Sequence, residues 1–181
     1  MDLSYNTVNL FPSFVHVFDV NGFDEVQNQL IDYAYDFKKR DPVGVSISNQ
    51  GGWQSPSFFI NDENDVLHHF LINCLAGFPV IDESYNIKID AWVNINKPGD
   101  YNMKHFHPGV DLAGVLWVKV PKDSGNIIFD NPTGFQAFNE INSYVPDFKS
   151  KNNFCHTYFF PPLEGRILVF PAHLNHQVKQ N

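Results

Sequence analysis

The stretch Gly99-Asp-Tyr-Asn-Met-Lys-His105-Phe-His107-Pro108, answered about seventy residues later by Gly165-Arg-Ile-Leu-Val-Phe-Pro171-Ala-His-Leu-Asn-His176, decides how this chain reads. Residues i and i+2 of a β-strand project from the same face. His105 and His107 can therefore address one ion while Phe106 turns the other way, into the core or onto a neighbouring strand. A third imidazole, His176, brought in on another strand, closes one face of a coordination sphere. Neutral imidazole suits Fe, Zn, Cu and Ni, and three facial ligands leave positions open for water, a cosubstrate or O2. The plain alternative is that the three histidines are ordinary polar residues near strand ends.

Working outward, the segments around both motifs read as strands punctuated by Gly and Pro. Asn86 to Asn96 alternates, with Ile87, Ile89, Ala91, Val93 and Ile95 on one side and Trp92 among polar residues on the other. Lys97-Pro-Gly-Asp100 is a turn. Further strands fit Asn102 to His107, Leu112 to Val120, Asn126 to Asp130, Phe154 to Phe160, Arg166 to Phe170 and, more loosely, Leu174 to Lys179. Two helices precede them. Phe23 to Arg40 carries Val26, Leu30, Ile31, Ala34 and Phe37 at helical spacing, with acids near its start and Lys38-Lys39-Arg40 at its end, as the helix dipole prefers. Asn61 to Leu75 places Val66, Phe70, Leu71 and Cys74 on one face; at least one of His68 and His69 on this helix reads as a solvated surface residue, and neither carries weight as a ligand. Thr133 to Asn153 has weak periodicity and reads as a long loop, a lid or rim over a site. The whole predicts one mainly β (α+β) domain over residues 1–181, with a helical N-terminal part to about residue 80 and a β core from about residue 85.

Composition narrows the function. A chain of 181 residues and 20.8 kDa that is 43% hydrophobic, with 18 phenylalanines, can bury a sizeable core. Its net charge of -8, with Arg40 and Arg166 the two arginines, argues against a surface that tracks nucleic-acid phosphates. Cys74 and Cys155 are far apart and in no metal-binding spacing, which reads as buried thiols in a reducing, cytoplasmic setting. No apolar run approaches the roughly 20 residues of a membrane span, and Met1-Asp-Leu-Ser-Tyr-Asn lacks a signal-peptide layout. There is no G-x-S-x-G elbow, no phosphate-cradling G-x-x-x-x-G-K-S/T and no zinc-type cysteine cluster. Cys155 and His156 are neighbours and so point to opposite faces of a strand.

The two histidine segments also match the two halves of a cupin-like double-stranded β-helix. The first has a Gly before H-x-H and an acid, Asp111, shortly after it; the second has a Gly before Pro171 and His176 beyond. Jelly rolls bring such segments onto facing strands.

Longer blocks extend the match. They are Ser48-Asn-Gln-Gly-Gly-Trp-Gln-Ser55, Trp92-Val-Asn-Ile-Asn-Lys-Pro-Gly-Asp-Tyr101, His105 to Pro108 running into Ala113-Gly-Val-Leu-Trp117, Ser124-Gly125 with Asp130-Asn-Pro132, and Glu164 to His176. Over roughly Phe11 to the C-terminus the chain resembles a family of 2-oxoglutarate- and Fe(II)-dependent oxygenases found in bacteria and phages. The resemblance implies a double-stranded β-helix (jelly roll) with N-terminal packing helices, and a mononuclear iron held by His105, His107 and His176. It also implies 2-oxoglutarate and O2 as co-reactants and hydroxylation of a small molecule or protein side chain. Two departures stand out. Most such oxygenases have Asp or Glu where this chain has His107, so either the site is a three-histidine variant or Asp111 supplies a carboxylate. The fold also usually grips the far carboxylate of 2-oxoglutarate with Arg or Lys about ten residues after the distal His, whereas this sequence stops at Asn181. Either a last strand is lacking or another cation serves, with Lys119, Arg166 and Lys104 as candidates; Asn94, Trp92 and Tyr101 border the site and could bind the cosubstrate. Lys119 shares a strand face with Ala113, Val115 and Trp117, which would place it in the barrel if that face looks inward. The competing reading is a cupin-like metal-binding module without oxygenase activity, a sensor or non-redox enzyme. A homodimer is compatible with either.

Overall fold

A computed structural model describes residues 4–8, 10, 12–60, 66–76, 84, 87–133 and 143–181. The elements run β1 (His16–Asp19), α1 (Asp24–Arg40), β2 (Asn49–Gln50), β3 (Trp53–Gln54), β4 (Phe58–Phe59) and α2 (Val66–Ala76). They continue with β5 (Asp90–Ala91), β6 (Asn94–Ile95), β7 (Tyr101–His105), β8 (Leu112–Leu116), β9 (Ile127–Asp130), α3 (Pro146–Lys151), β10 (Thr157–Phe160), β11 (Arg166–Pro171) and β12 (His176–Val178).

Every strand pair is antiparallel. A five-stranded sheet has the order β10-β9-β12-β7-β2 and a three-stranded sheet the order β1-β11-β8, with the pairs β3-β6 and β4-β5 beside them. Strand β11 shows how the layers stack. Leu168 and Phe170 point to one side and join Ile127, Phe129 and Leu174 in a core between the two larger sheets; Leu168 is 0% exposed. Ile167, of opposite parity, joins Phe23, Leu30 and Phe70 in a second core beneath α1 and α2. One strand of near-continuous apolar sequence thus serves two cores, as burial on both faces requires. Gly165 makes the tight entry to it: its φ is +75°, and a Cβ there would strike the Phe23 ring. This is the mainly β, jelly-roll architecture with packing helices that the sequence predicts.

Several boundaries differ from the sequence reading. The segment 86–96 is not one ladder: β5 pairs with β4 and β6 with β3, and between them lies Pro56, which has no N–H to give the ladder. The exposure still alternates, with Ile89, Ala91, Val93 and Ile95 half-buried and Asp90, Trp92 and Asn94 exposed. Strand β7 ends at His105, so Phe106 is 52% exposed in the following turn instead of packed on the far side of a strand. Strand β8 stops at Leu116. The stretch expected to be a loop from Thr133 to Asn153 contains α3, started by Pro146 in its first turn; residues 134–142 lie outside the described residues, as do 61–65 at the start of the second expected helix. Among the described residues no helix is long and apolar enough to cross a membrane.

Candidate active site

The centre of the site is a cross-strand pair. His176 opens β12 directly opposite His105, the last residue of β7. His107 follows two residues later, where its backbone N–H donates to the Ala172 carbonyl at 2.9 Å and ties the end of β7 to the turn after β11. One ring nitrogen from each of the three histidines lies within 4.8 Å of the others, and ring centroids are 4.3 Å apart for His105 and His176, 5.0 Å for His105 and His107, and 5.1 Å for His107 and His176. The H-x-H spacing works here although only its first residue is in the strand.

The rings are prepared for ligation. Nδ1 of His105 lies 2.7 Å from the Met103 carbonyl and Nδ1 of His176 lies 2.9 Å from the Leu174 carbonyl. A carbonyl only accepts, so each Nδ1 carries the proton and each Nε2 keeps its lone pair free. Burial, followed by the neighbouring imidazoles, outweighs the Leu174 carbonyl and lowers the pKa of His176 to about 4; burial and the adjacent His105 lower that of His107 as well. The two titrate below neutrality and are uncharged at pH 7, the form that binds metal. The ring of His107 has no hydrogen bond among the described residues and instead lies against Trp92, centroids 5.5 Å apart and planes tilted by 44°. Three convergent imidazoles fit Fe(II).

Asp111 is not in the cluster: it is exposed, and its backbone carbonyl accepts the Ala172 N–H. The cations are also elsewhere. The guanidinium of Arg166 pairs with Asp19 through two hydrogen bonds of 2.7 and 3.0 Å, which holds the carboxyl of Asp19 below its usual range. It stands at the far end of β11 from Pro171, about 17 Å at strand rise. Lys119 is exposed beyond β8, near Glu164, even though Ala113, Val115 and Trp117 do pack on the core between the sheets. Lys104 bridges to Asp130 at 2.5 Å. Asp130 has the parity opposite to Phe129, the partner of His176, and so lies on the outer face of the five-stranded sheet.

A bulge sets the lining of the inner face. Three steps on β7 (His105 to Asn102) match two on β12 (His176 to Val178), so Asn102 shares the face of His105 despite odd spacing. Asn102 is buried and donates to Ser48 Oγ at 3.2 Å, whereas Tyr101, one residue earlier, turns outward and is 37% exposed. The other wall starts at Trp92. Asn94 shares its parity and pairs across the ladder with Gln54. Gln54 is 5% exposed, yet its Oε1 is buried without a hydrogen bond among the described residues, as is Oδ1 of Asn96. Gly52 makes room for Asn96, since a Cβ there would collide with that amide oxygen.

A family profile described as "Putative 2OG-Fe(II) oxygenase" matches residues 90–181. The chain belongs to this family. The fold agrees: the crystal structure of a Pseudomonas putida prolyl-4-hydroxylase superposes with a TM-score of 0.59 over 93% of this chain and 85% of that one, at 12% identity. No curated protein matches the sequence. The matched stretch contains both histidine segments. As a member of the family the protein uses Fe(II) and 2-oxoglutarate, with O2 and an organic substrate as reactants.

Proposed function

We propose that this 2-oxoglutarate-dependent oxygenase is a hydroxylase, with His105, His107 and His176 as its iron ligands. The observation that carries the assignment is the three-imidazole cluster, whose ring nitrogens lie within 4.8 Å of one another. With the cofactors bound, oxidative decarboxylation of 2-oxoglutarate to succinate and CO2 activates O2 for insertion into a substrate C–H bond. The chain's own contribution is geometric and electrostatic. The Met103 and Leu174 carbonyls fix the tautomers of His105 and His176, burial keeps His107 and His176 neutral, and Phe129 and Phe170 pack against the His176 ring at 5.8 and 4.9 Å. This apolar backing restricts water behind the ligand that joins the two sheets.

The structural neighbour is a prolyl-4-hydroxylase, which is consistent with hydroxylation, and the acidic balance of this chain favours a small molecule or protein side chain over nucleic acid. We also place the protein in the cytoplasm, on its cysteine usage. The test is O2-dependent succinate release from 2-oxoglutarate by the Fe(II)-loaded protein. It should fall to background in His176→Ala; turnover that survives this substitution would remove His176 from the metal.

A further inference from the structure

We propose that Asn21 is a site of spontaneous deamidation through attack by the Gly22 nitrogen, and that its isoaspartyl product loosens the corner between β1 and α1. The inference is independent of the histidine cluster and its chemistry.

Three observations carry it. The first is the dipeptide itself: Asn21 is the one asparagine in the chain that a glycine follows, so no side chain shields the next backbone nitrogen. The corner needs that glycine. Its φ is +70°, a conformation that disfavours a Cβ, and the fold therefore keeps this nitrogen bare. The second is freedom to react. Asn21 is exposed, and among the described residues neither its side-chain amide nor the Gly22 N–H makes a hydrogen bond. The space is open too, since beyond its chain neighbours a Cβ built on Gly22 would meet nothing nearer than the Glu25 carboxylate, at 3.5 Å. The third is what flanks the pair. Val20 N–H donates to the Gly165 carbonyl at 3.0 Å, which ties one side to the entry of β11. On the other side Phe23 is 6% exposed in the core beneath α1, its ring 5.9 Å from that of Phe70. Asn21 and Gly22 thus span two anchored residues.

The chemistry needs water alone. The Gly22 nitrogen loses its proton to solvent and bonds to Cγ of Asn21; the bond from Cγ to the side-chain nitrogen breaks, ammonia leaves, and a cyclic imide remains. Water then opens the ring. Attack at the side-chain carbonyl gives Asp, and attack at the main-chain carbonyl gives isoaspartate, whose backbone runs through Cβ and Cγ and is longer by one atom. Nothing is oxidised or reduced. The new carboxylate is favoured by its place before α1 and disfavoured by Asp19, Asp24 and Glu25, so its charge acts in two opposed directions. The extra backbone atom has no such offset: it must be fitted between Val20 and Phe23, both held in place.

The experiment incubates the full chain in mildly alkaline buffer, folded and, in parallel, unfolded in urea. Residue 21 is followed by peptide mass mapping, and an isoaspartyl methyltransferase labels the isoaspartyl form. The folded chain should gain acid at residue 21 sooner than at Asn94 or Asn126, where a following isoleucine blocks the attack, and should take up the label; Asn21→Gln, whose longer side chain closes the ring poorly, should do neither. Acid that forms at residue 21 in urea but not in the folded chain would overturn the proposal, as would a rate no faster than at Asn94 and Asn126. Urea unfolding then tests the corner. Aged protein should unfold at lower urea than fresh protein, whereas Asn21→Asp, which has the charge without the added backbone atom, should unfold with the fresh protein. Aged and fresh protein with one midpoint would overturn the loosening, as would an Asn21→Asp variant that unfolds as early as the aged protein.

Discussion

Lowering the pH should destabilise the metal-free protein through His176 in particular, and the size of the effect follows from its surroundings. Its pKa is about 4 in the folded chain, against an ordinary value of 6.5, because burial disfavours the imidazolium more than the Leu174 carbonyl favours it. Between those two values the unfolded chain binds a proton that the folded chain refuses. Stability therefore rises with pH across this window: the contribution is fully present above pH 6.5 and is lost as the pH falls towards 4. At about 1.36 kcal/mol per pH unit, the difference between pH 7 and pH 4 is roughly 3 kcal/mol from this group. Urea unfolding of chelator-treated protein, compared with His176→Leu at a series of pH values, isolates the term, since carboxylates and other histidines titrate in both. His107, shifted in the same direction, steepens the profile in both proteins. Parallel stability profiles for the two proteins would show that His176 is not a neutral, desolvated imidazole in the fold, and its readiness to bind metal at pH 7 would lose its basis.

Other outcomes follow from the same structure. Trp92→Ala should weaken Fe(II) binding by about tenfold in a metal-competition titration, because His107, among the described residues, lacks the carbonyl partner that His105 and His176 have and lies against the indole; Trp92→Phe should restore most of the affinity. Arg166→Ala should change chemical-denaturation stability by under about 1 kcal/mol and leave 2-oxoglutarate affinity as it was, since the Asp19–Arg166 pair is on the surface. Leu168→Ala, which empties a fully buried position between the two sheets, should cost about 3 kcal/mol in the same assay without changing the histidine cluster.

What the sequence discloses and what it conceals divide along physical lines. Alternation and helical spacing depend on local geometry, so α1, the β9 to β12 succession and the meeting of His105, His107 and His176 were all legible. The alternation of segment 86–96 also survived, but its ladder did not, because Pro56 lies between the two partner strands β3 and β4 and interrupts pairing from outside. Phe106 misled because strand β7 ends one residue before it. Tyr101 faces outward through a bulge that a count of alternating residues cannot register. Arg166 and Lys119 were chosen as cations near the histidine segments in sequence, yet distance along β11 and beyond β8 carries them from the cluster.

The central claim is that three histidines, with neither Asp111 nor any other carboxylate, hold an iron that 2-oxoglutarate chelates. Anaerobic titration of 2-oxoglutarate into the Fe(II)-loaded protein, followed by visible absorption, tests it most directly. The account predicts a metal-to-ligand charge-transfer band that saturates at one equivalent, persists in Asp111→Ala and is lost in His105→Ala, His107→Ala and His176→Ala alike. A band that survives His107→Ala and disappears in Asp111→Ala would contradict it.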